Sequence, residues 1–266
     1  MGSLAAVFFD MDGLLVDTEP IWTVAEQEAA ARLGGTFTPA MKRAMIGHGI
    51  DTAVPIMVEM LGQPPAAVAD TARFLLRRSA ELFREPGAIV AQPGAVELLG
   101  ALHAGGVPTA LVSSSFRDLM DPVLDVIGRE LFAVTVAGDE VSRRKPDPEP
   151  YLVAARHLGA DPRSCVVLED SPSGAQAGVA AACATVMVPS MPDLLDLTTP
   201  AAADRVDTPA AAAADLRAAR ASDVDVARRD AGRAPLPEGL AAVVASLHEV
   251  SPRLLEELVA ARRTRA

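Results

Sequence analysis

Phe8-Phe9-Asp10-Met11-Asp12-Gly13-Leu14-Leu15-Val16-Asp17-Thr18-Glu19 is the stretch on which the reading of this chain turns. An apolar, strand-like run ends there in two carboxylates spaced i, i+2, followed by a glycine. In an extended segment that spacing puts both side chains on the same side of the chain. Two like charges crowded at a strand end repel. A hard divalent cation, which takes oxygen ligands and leaves places for water and phosphate, relieves the repulsion. Gly13 lets the backbone turn sharply and offer N–H groups to an anionic oxygen. Taken alone, the pair also reads as solvated acids closing a strand, so the rest of the chain has to choose.

Outward from this stretch, short apolar runs alternate with helix-length segments. Leu4–Phe9, Val107–Val112, Leu131–Ala137, Ser164–Leu168 and Ala184–Val188 are rich in Val, Leu or Phe, as expected of strands buried on both faces of a parallel sheet. Between them Val96, Leu99 and Leu102, and then Leu119, Val123 and Ile127, recur at helical spacing. The alternation predicts right-handed βαβ crossovers and an α/β fold, a doubly wound parallel-sheet (Rossmann-like) core. Residues 18–88 break the rhythm with helical patterns and no convincing strand, which predicts a small all-helical cap domain inserted after the first strand. The core is then 1–17 and 89–266. Asp17-Thr18 before Pro20 suits the start of the first cap helix. Within the core, Leu197–Leu236 holds 14 alanines and six each of Asp and Arg. It reads as a low-complexity excursion, partly helical or disordered, with an ordered accessory role as the other reading. Gly239–Leu247 and Pro252–Ala261 read as two short closing helices, the second ending in the solvated bases Arg262, Arg263 and Arg265.

Composition bounds the function. The 266 residues carry a net charge of −11, with half of them hydrophobic, which argues against an electrostatic grip on nucleic acid or an anionic membrane. No apolar run approaches the ~18 residues of a membrane span. The N-terminus enters a strand-like run without a basic-then-apolar leader, so the expected setting is cytoplasmic. Cys165 and Cys183 sit in apolar or alanine-rich surroundings and read as small core residues.

Three further sites change the weight of the first. Leu111-Val112-Ser113-Ser114-Ser115 places hydroxyls after the second strand, Lys145-Pro146-Asp147-Pro148 follows the third, and Val166-Val167-Leu168-Glu169-Asp170-Ser171 ends the fourth in two acids. Singly these read as a helix cap, a surface charge and a turn. Together they fall on the carboxyl ends of strands in one sheet. Carboxylates for a metal, with a hydroxyl and an ammonium for a dianion, are what phosphoryl transfer requires. Only Lys42 and Lys145 among the basic residues are lysines, and a compact ammonium at 145 differs from the planar fork used elsewhere.

Asp10-x-Asp12-Gly13 with Asp17-Thr18-Glu19, Ser113, Lys145-Pro146 and Glu169-Asp170, in that order, resembles the haloacid dehalogenase-like hydrolase superfamily. The helical insert is similar to the cap of its phosphatase and β-phosphoglucomutase-like branch. The resemblance implies that Asp10 attacks phosphorus to form an aspartyl-phosphate and that Asp12 acts as general acid and then base. It implies Mg²⁺ held by Asp10, the Asp12 carbonyl and Asp170, with Glu169 orienting metal-bound water. Ser113 and Lys145 would neutralise phosphoryl oxygens, helped by N–H groups near Met11, Asp12 and Ser114.

The mutases of that branch carry a cap histidine where Glu19-Pro20-Ile21-Trp22 stands here, and basic residues where Met45-Ile46-Gly47-His48-Gly49-Ile50-Asp51 stands. The departure favours a phosphatase acting on a small phosphorylated metabolite, most simply a sugar phosphate, as a monomer or weak dimer. A sugar phosphomutase is the alternative. A phosphometabolite-binding module without turnover would be expected to lack Asp10, Asp12 or Lys145. Ser114, Arg117, Glu19 and His48 are the candidate substrate contacts. Arg117 also reads as a charge on a helix surface, and His48 as a surface or packed imidazole. Trp22 reads as packing in the cap or as a substrate wall.

Overall fold

The computed structural model describes residues 4–45, 49–190 and 236–265. His48, and the excursion over 197–236 save Leu236, lie outside the described residues. The chain divides into two compact units: residues 4–21, Ser79–Ser190 and 236–265 form one, and Trp22–Arg78 the other.

The first unit is built on six parallel strands: β1 Ala6–Phe9, β2 Thr109–Val112, β3 Val134–Val136, β4 Cys165–Glu169, β5 Ala184–Met187 and β6 Ala242–Val243. Their order is β3-β2-β1-β4-β5-β6. The chain winds outward from β1 through β2 to β3, then returns to β4 on the other side of β1. The β1–β4 boundary is therefore a topological switch point, and ligands of open α/β sheets bind outside the strand carboxyl ends there. Phe9 pairs with Leu111 on β2 and Leu168 on β4. One step further along that register brings Asp10 level with Glu169.

Alternation along the strands divides the core. Ala6, Phe8, Ala110, Val112, Cys165 and Val167 point to one face, where they pack with Tyr151, Ala154 and Ala155 of α7 (Glu149–Leu158) and Ala177 of α8 (Pro172–Ala180). Both cysteines are buried and free, as small core residues. Helices α5 (Ala95–Ala104), α6 (Arg117–Ile127) and α9 (Pro252–Arg265) complete the unit. Arg262 of α9 donates to the Cys183 carbonyl, so this base is tied to the sheet and is not simply solvated.

One expected helix is a strand. In place of a helix over Gly239–Leu247, Ala242–Val243 pairs with Val186 and Met187 at the edge of β5, and a 3-10 turn follows at Leu247–Glu249. Ala241 donates to the Thr185 carbonyl at 2.8 Å and Val244 to that of Met187 at 2.9 Å. The β-branched Val243-Val244 pair suits the pleat, and the open edge of β5 supplies hydrogen-bond partners that an isolated helix of this length would lack.

The second unit is helical throughout its described residues, comprising most of α1 (Glu19–Arg32) and α4 (Ala67–Phe83) together with α2 (Pro39–Met45) and α3 (Ile50–Met60). Ala25 and Ala29 share the inward face of α1 with Ala30, and Met41, Met57 and Leu75 are also buried in this unit. Glu28 receives two hydrogen bonds from the Arg78 guanidinium, at 2.7 and 3.0 Å. Lys42 and Glu26 form a buried ion pair at 2.9 Å, which nothing in the local sequence announces.

Candidate active site

Every acid of the site sits at a strand end. Asp10 follows β1 directly and its N–H donates to the Leu168 carbonyl at 3.0 Å. Beyond it the chain folds back at once. Gly13 donates to the Val16 carbonyl at 2.8 Å, and Gln92 pins the turn through Gly13 O at 3.0 Å. Gly13 has φ +86, and a Cβ there would overlap Asp170 Oδ2. The glycine is thus required twice, for the left-handed turn and for the close approach of a carboxylate.

Asp10, Glu169 and Asp170 are buried with carboxylate oxygens within 4.8 Å of one another. Lys145 is set against them. Its ammonium donates to Asp10 Oδ1 at 2.5 Å, to the Val112 carbonyl at 2.8 Å and to Glu169 Oε1 at 2.7 Å. Burial pushes the Asp10 carboxyl up to about 8, with the Glu169 charge adding to the effect and Lys145 opposing it. Asp170 is held well above the ordinary carboxylate range by burial, then by the charges of Asp10 and Glu169. Burial works against the charge on Lys145, but Asp10 and Glu169 outweigh it and keep the ammonium protonated.

Asp12 is held differently, by hydroxyls from a nearby residue and from a distant segment. Thr18 donates to Oδ1 at 2.8 Å, while Ser113 and Ser115 donate to Oδ2 at 3.1 and 2.8 Å. Ser115 N–H donates in turn to Ser113 Oγ at 2.9 Å, which fixes the loop after β2. Burial raises the Asp12 carboxyl even though all three hydroxyls stabilise its charged form.

The remaining acids have their own fittings. Ser190 donates to Asp170 Oδ2 at 2.7 Å. Glu169 ends β4 with its carboxylate against the first turn of α8, where a Cβ on Gly174 would overlap it, and Ser171 donates to Oε2 from both N–H and hydroxyl.

This donor set fits a hard divalent cation. It offers three buried carboxylates, two of which, Asp10 and Asp170, are pushed toward their neutral forms in the cation's absence, and a glycine cradle beside Asp170. The structure brings Asp10, Asp12, Ser113, Lys145, Glu169 and Asp170 together. Ser114 lies between two of the serines and holds neither Asp10 nor Asp12. Glu19 opens α1, where a carboxylate suits the helix N-terminus. Arg117 is not brought to the cluster, because its guanidinium donates to Glu140 at 2.6–3.0 Å and to Thr135 Oγ1 at 3.0 Å. Ser115, Thr18, Tyr151 and Ser190 are the residues that sequence reasoning leaves unassigned. Spacing could have flagged Ser115, two residues after Ser113; nothing local flags Tyr151 or Ser190.

Among the described residues no helix is long and apolar enough to cross a membrane. Hexitol phosphatase A of Escherichia coli is 36% identical over 180 residues, covering 68% of this chain and 81% of that protein. A (DL)-glycerol-3-phosphatase of Arabidopsis thaliana is 35% identical over 196 residues, or 71% of this chain and 65% of the relative. Among solved structures, a mutant of CbbY from Rhodobacter sphaeroides in complex with xylulose-(1,5)bisphosphate has a TM-score of 0.63 at 28% identity, covering 70% of this chain and 86% of that one. The model of the haloacid dehalogenase-like hydrolases matches residues 4–182, from the start of the first strand through the Glu169-Asp170 acids and α8. With that match spanning β1 to β4 and all four strand-end motifs, the chain belongs to the haloacid dehalogenase-like hydrolase family.

Proposed function

We propose that this enzyme is a phosphoric monoester hydrolase that cleaves a small phosphomonoester, a sugar phosphate, with Mg²⁺ as its cation and an aspartyl-phosphate on Asp10 as intermediate. The observation that carries the reading is the contrast between two carboxylates two residues apart. Burial raises both carboxyls, but their partners differ: Asp10 is gripped by an ammonium, and Asp12 is held by three hydroxyls. An ammonium beside one acid suits a nucleophile that must be ionised, and hydroxyls around the other suit a group that passes a proton on and carries charge briefly.

In the first step an Asp10 oxygen attacks phosphorus and the ester P–O bond breaks. The leaving oxygen keeps the bonding pair and takes the proton of Asp12. Asp12, now ionised and stabilised by Thr18, Ser113 and Ser115, takes a proton from water. The water oxygen attacks phosphorus, and the P–O bond to Asp10 breaks to restore its carboxylate. Lys145 keeps Asp10 oriented and offers positive charge to the phosphoryl oxygens. A divalent cation bound among Asp10, Asp170 and the Asp12 carbonyl would add charge neutralisation and favour ionised Asp10. The relatives, a hexitol phosphatase and a glycerol-3-phosphatase, support a small polyol or sugar phosphate as substrate. A cytoplasmic setting and a monomer or weak dimer belong to the same reading.

The test is phosphate release from a panel of sugar phosphates, polyol phosphates and nucleotides, run with Mg²⁺, with chelator, and with Asp10→Asn. Release that requires both the cation and Asp10 is expected. Release that survives Asp10→Asn would overturn the assignment of the nucleophile.

A further inference from the structure

Lys145 has three N–H bonds and all three are taken, by Asp10 Oδ1, the Val112 carbonyl and Glu169 Oε1. To touch a phosphoryl oxygen it must release one of them. The Val112 carbonyl belongs to the sheet, and Asp10 is the attacking group, so Glu169 is the partner to be exchanged. Glu169 Oε1 is shared. It accepts a second hydrogen bond, at 2.7 Å, from the hydroxyl of Tyr151, while Oε2 is occupied by Ser171.

Tyr151 is fully buried and placed by packing on two sides. Its ring stacks on Phe8 at 6.2 Å with an interplanar angle of 11°, two residues before Asp10. Lys145 Nζ lies 5.0 Å from the ring centroid, within reach of a cation–π attraction. The packing holds the ring, and with it the hydroxyl, beside Glu169 Oε1.

We propose that Tyr151 is a positioning residue: by sharing Glu169 Oε1 it weakens Glu169's hold on Lys145, so that the ammonium stays on Asp10 and frees one N–H for the transferring phosphoryl group. The inference rests on the phosphatase reading above and adds a residue to it. Without the hydroxyl, Oε1 has Lys145 alone as donor, the ion pair tightens, and the carboxylate turns away from the geometry it holds here.

Tyr151 is the only tyrosine of the chain, so labelling tyrosine with ¹³C at the ζ carbon gives one resonance that reports on this hydroxyl without turnover. Glu169→Gln is expected to shift that resonance; an unmoved resonance overturns the proposal. Tyr151→Phe keeps the stacked ring, and its thermal midpoint should stay close to that of the unmodified enzyme. Its kcat is expected to fall about tenfold, with KM changed less than about twofold, because groups that orient a site typically matter at this level. In the Glu169→Gln background the same substitution should cost little more, since both act through one contact. An unchanged kcat, or a full independent loss in that background, overturns the proposal. If the unmodified enzyme releases no phosphate from any substrate with Mg²⁺, the phosphatase reading fails separately. Calorimetry with Mg²⁺ then decides the positioning role: Tyr151→Phe should weaken binding about tenfold, and equal affinity would overturn it.

Discussion

Ser115 donates its hydroxyl to Asp12 Oδ2 at 2.8 Å across 103 positions of the chain. The bond ties Asp12, the proposed general acid–base, to the loop after β2, beside the Ser113 bond to the same oxygen. Ser115→Ala removes a hydrogen bond to a group that, in the proposed mechanism, carries charge during water attack. We expect kcat to fall about tenfold, with a smaller change in KM. Steady-state kinetics on the preferred substrate checks this, and an unchanged kcat would remove Ser115 from the machinery.

Gly13 and Asp170 share one small space. Gly13→Ala must place a Cβ against Asp170 Oδ2 in a backbone conformation, φ +86, that an L residue adopts at a cost of about 1–3 kcal/mol. The expected outcome is a lower thermal midpoint together with loss of the rise that Mg²⁺ produces. In the unsubstituted protein, Mg²⁺ at a hundred times its Kd should stabilise the fold by about 2.7 kcal/mol. Asp170→Asn should abolish that rise. A full Mg²⁺ shift in Gly13→Ala would show that Asp170 tolerates displacement.

Arg117 and Glu140 give a pH-dependent contribution. Burial raises the Glu140 carboxyl, but hydrogen bonds from Arg117 and from the Ala137 N–H outweigh it and hold the group below the ordinary glutamate range. An acid depressed in the folded state contributes stability above its unfolded pKa and loses it as pH falls through the folded value. The pair is partly exposed, which limits it to about 0.5–1 kcal/mol. Glu140→Gln should therefore lower stability by that amount near pH 7, and the difference should close toward pH 3. A difference that persists unchanged at pH 3 would show that the loss is one of packing.

Lys42 and Glu26 form the buried pair of the helical unit. Removing one side of a buried pair costs the other its ion-pair partner, and Lys42→Met is expected to cost about 3–5 kcal/mol in urea unfolding. Pairing it with Glu26→Leu should recover much of that loss. A single substitution that costs under about 1 kcal/mol would indicate that water reaches the site.

The fold was readable because its signals are local. A buried parallel strand is an apolar run, a helix is a period, and five of the six strands announce themselves in their own residues. The sixth, Ala242–Val243, does not. Two residues carry no period, and they become a strand because the edge of β5 offers partners. The same distinction runs through the site. Asp10, Asp12, Ser113, Lys145, Glu169 and Asp170 are legible as residue types at strand ends in a fixed order. Their environments are not.

Tyr151 is six residues past Lys145 in a helix and looks like any core aromatic. Only packing α7 on the face of β1 brings its hydroxyl to Glu169. Arg117 reads in the sequence as a substrate contact or a charge on a helix surface, and the Glu140 that accepts its hydrogen bonds comes from the β3–α7 connection. Pattern along the chain specifies which elements form and which chemistry they carry, since both depend on neighbours a few residues apart. Which oxygen meets which donor is set across 24 to 135 positions, as for Glu169 and Asp10 on Lys145. Hydrogen bonds act over about 3 Å and carry no mark in the sequence of either partner.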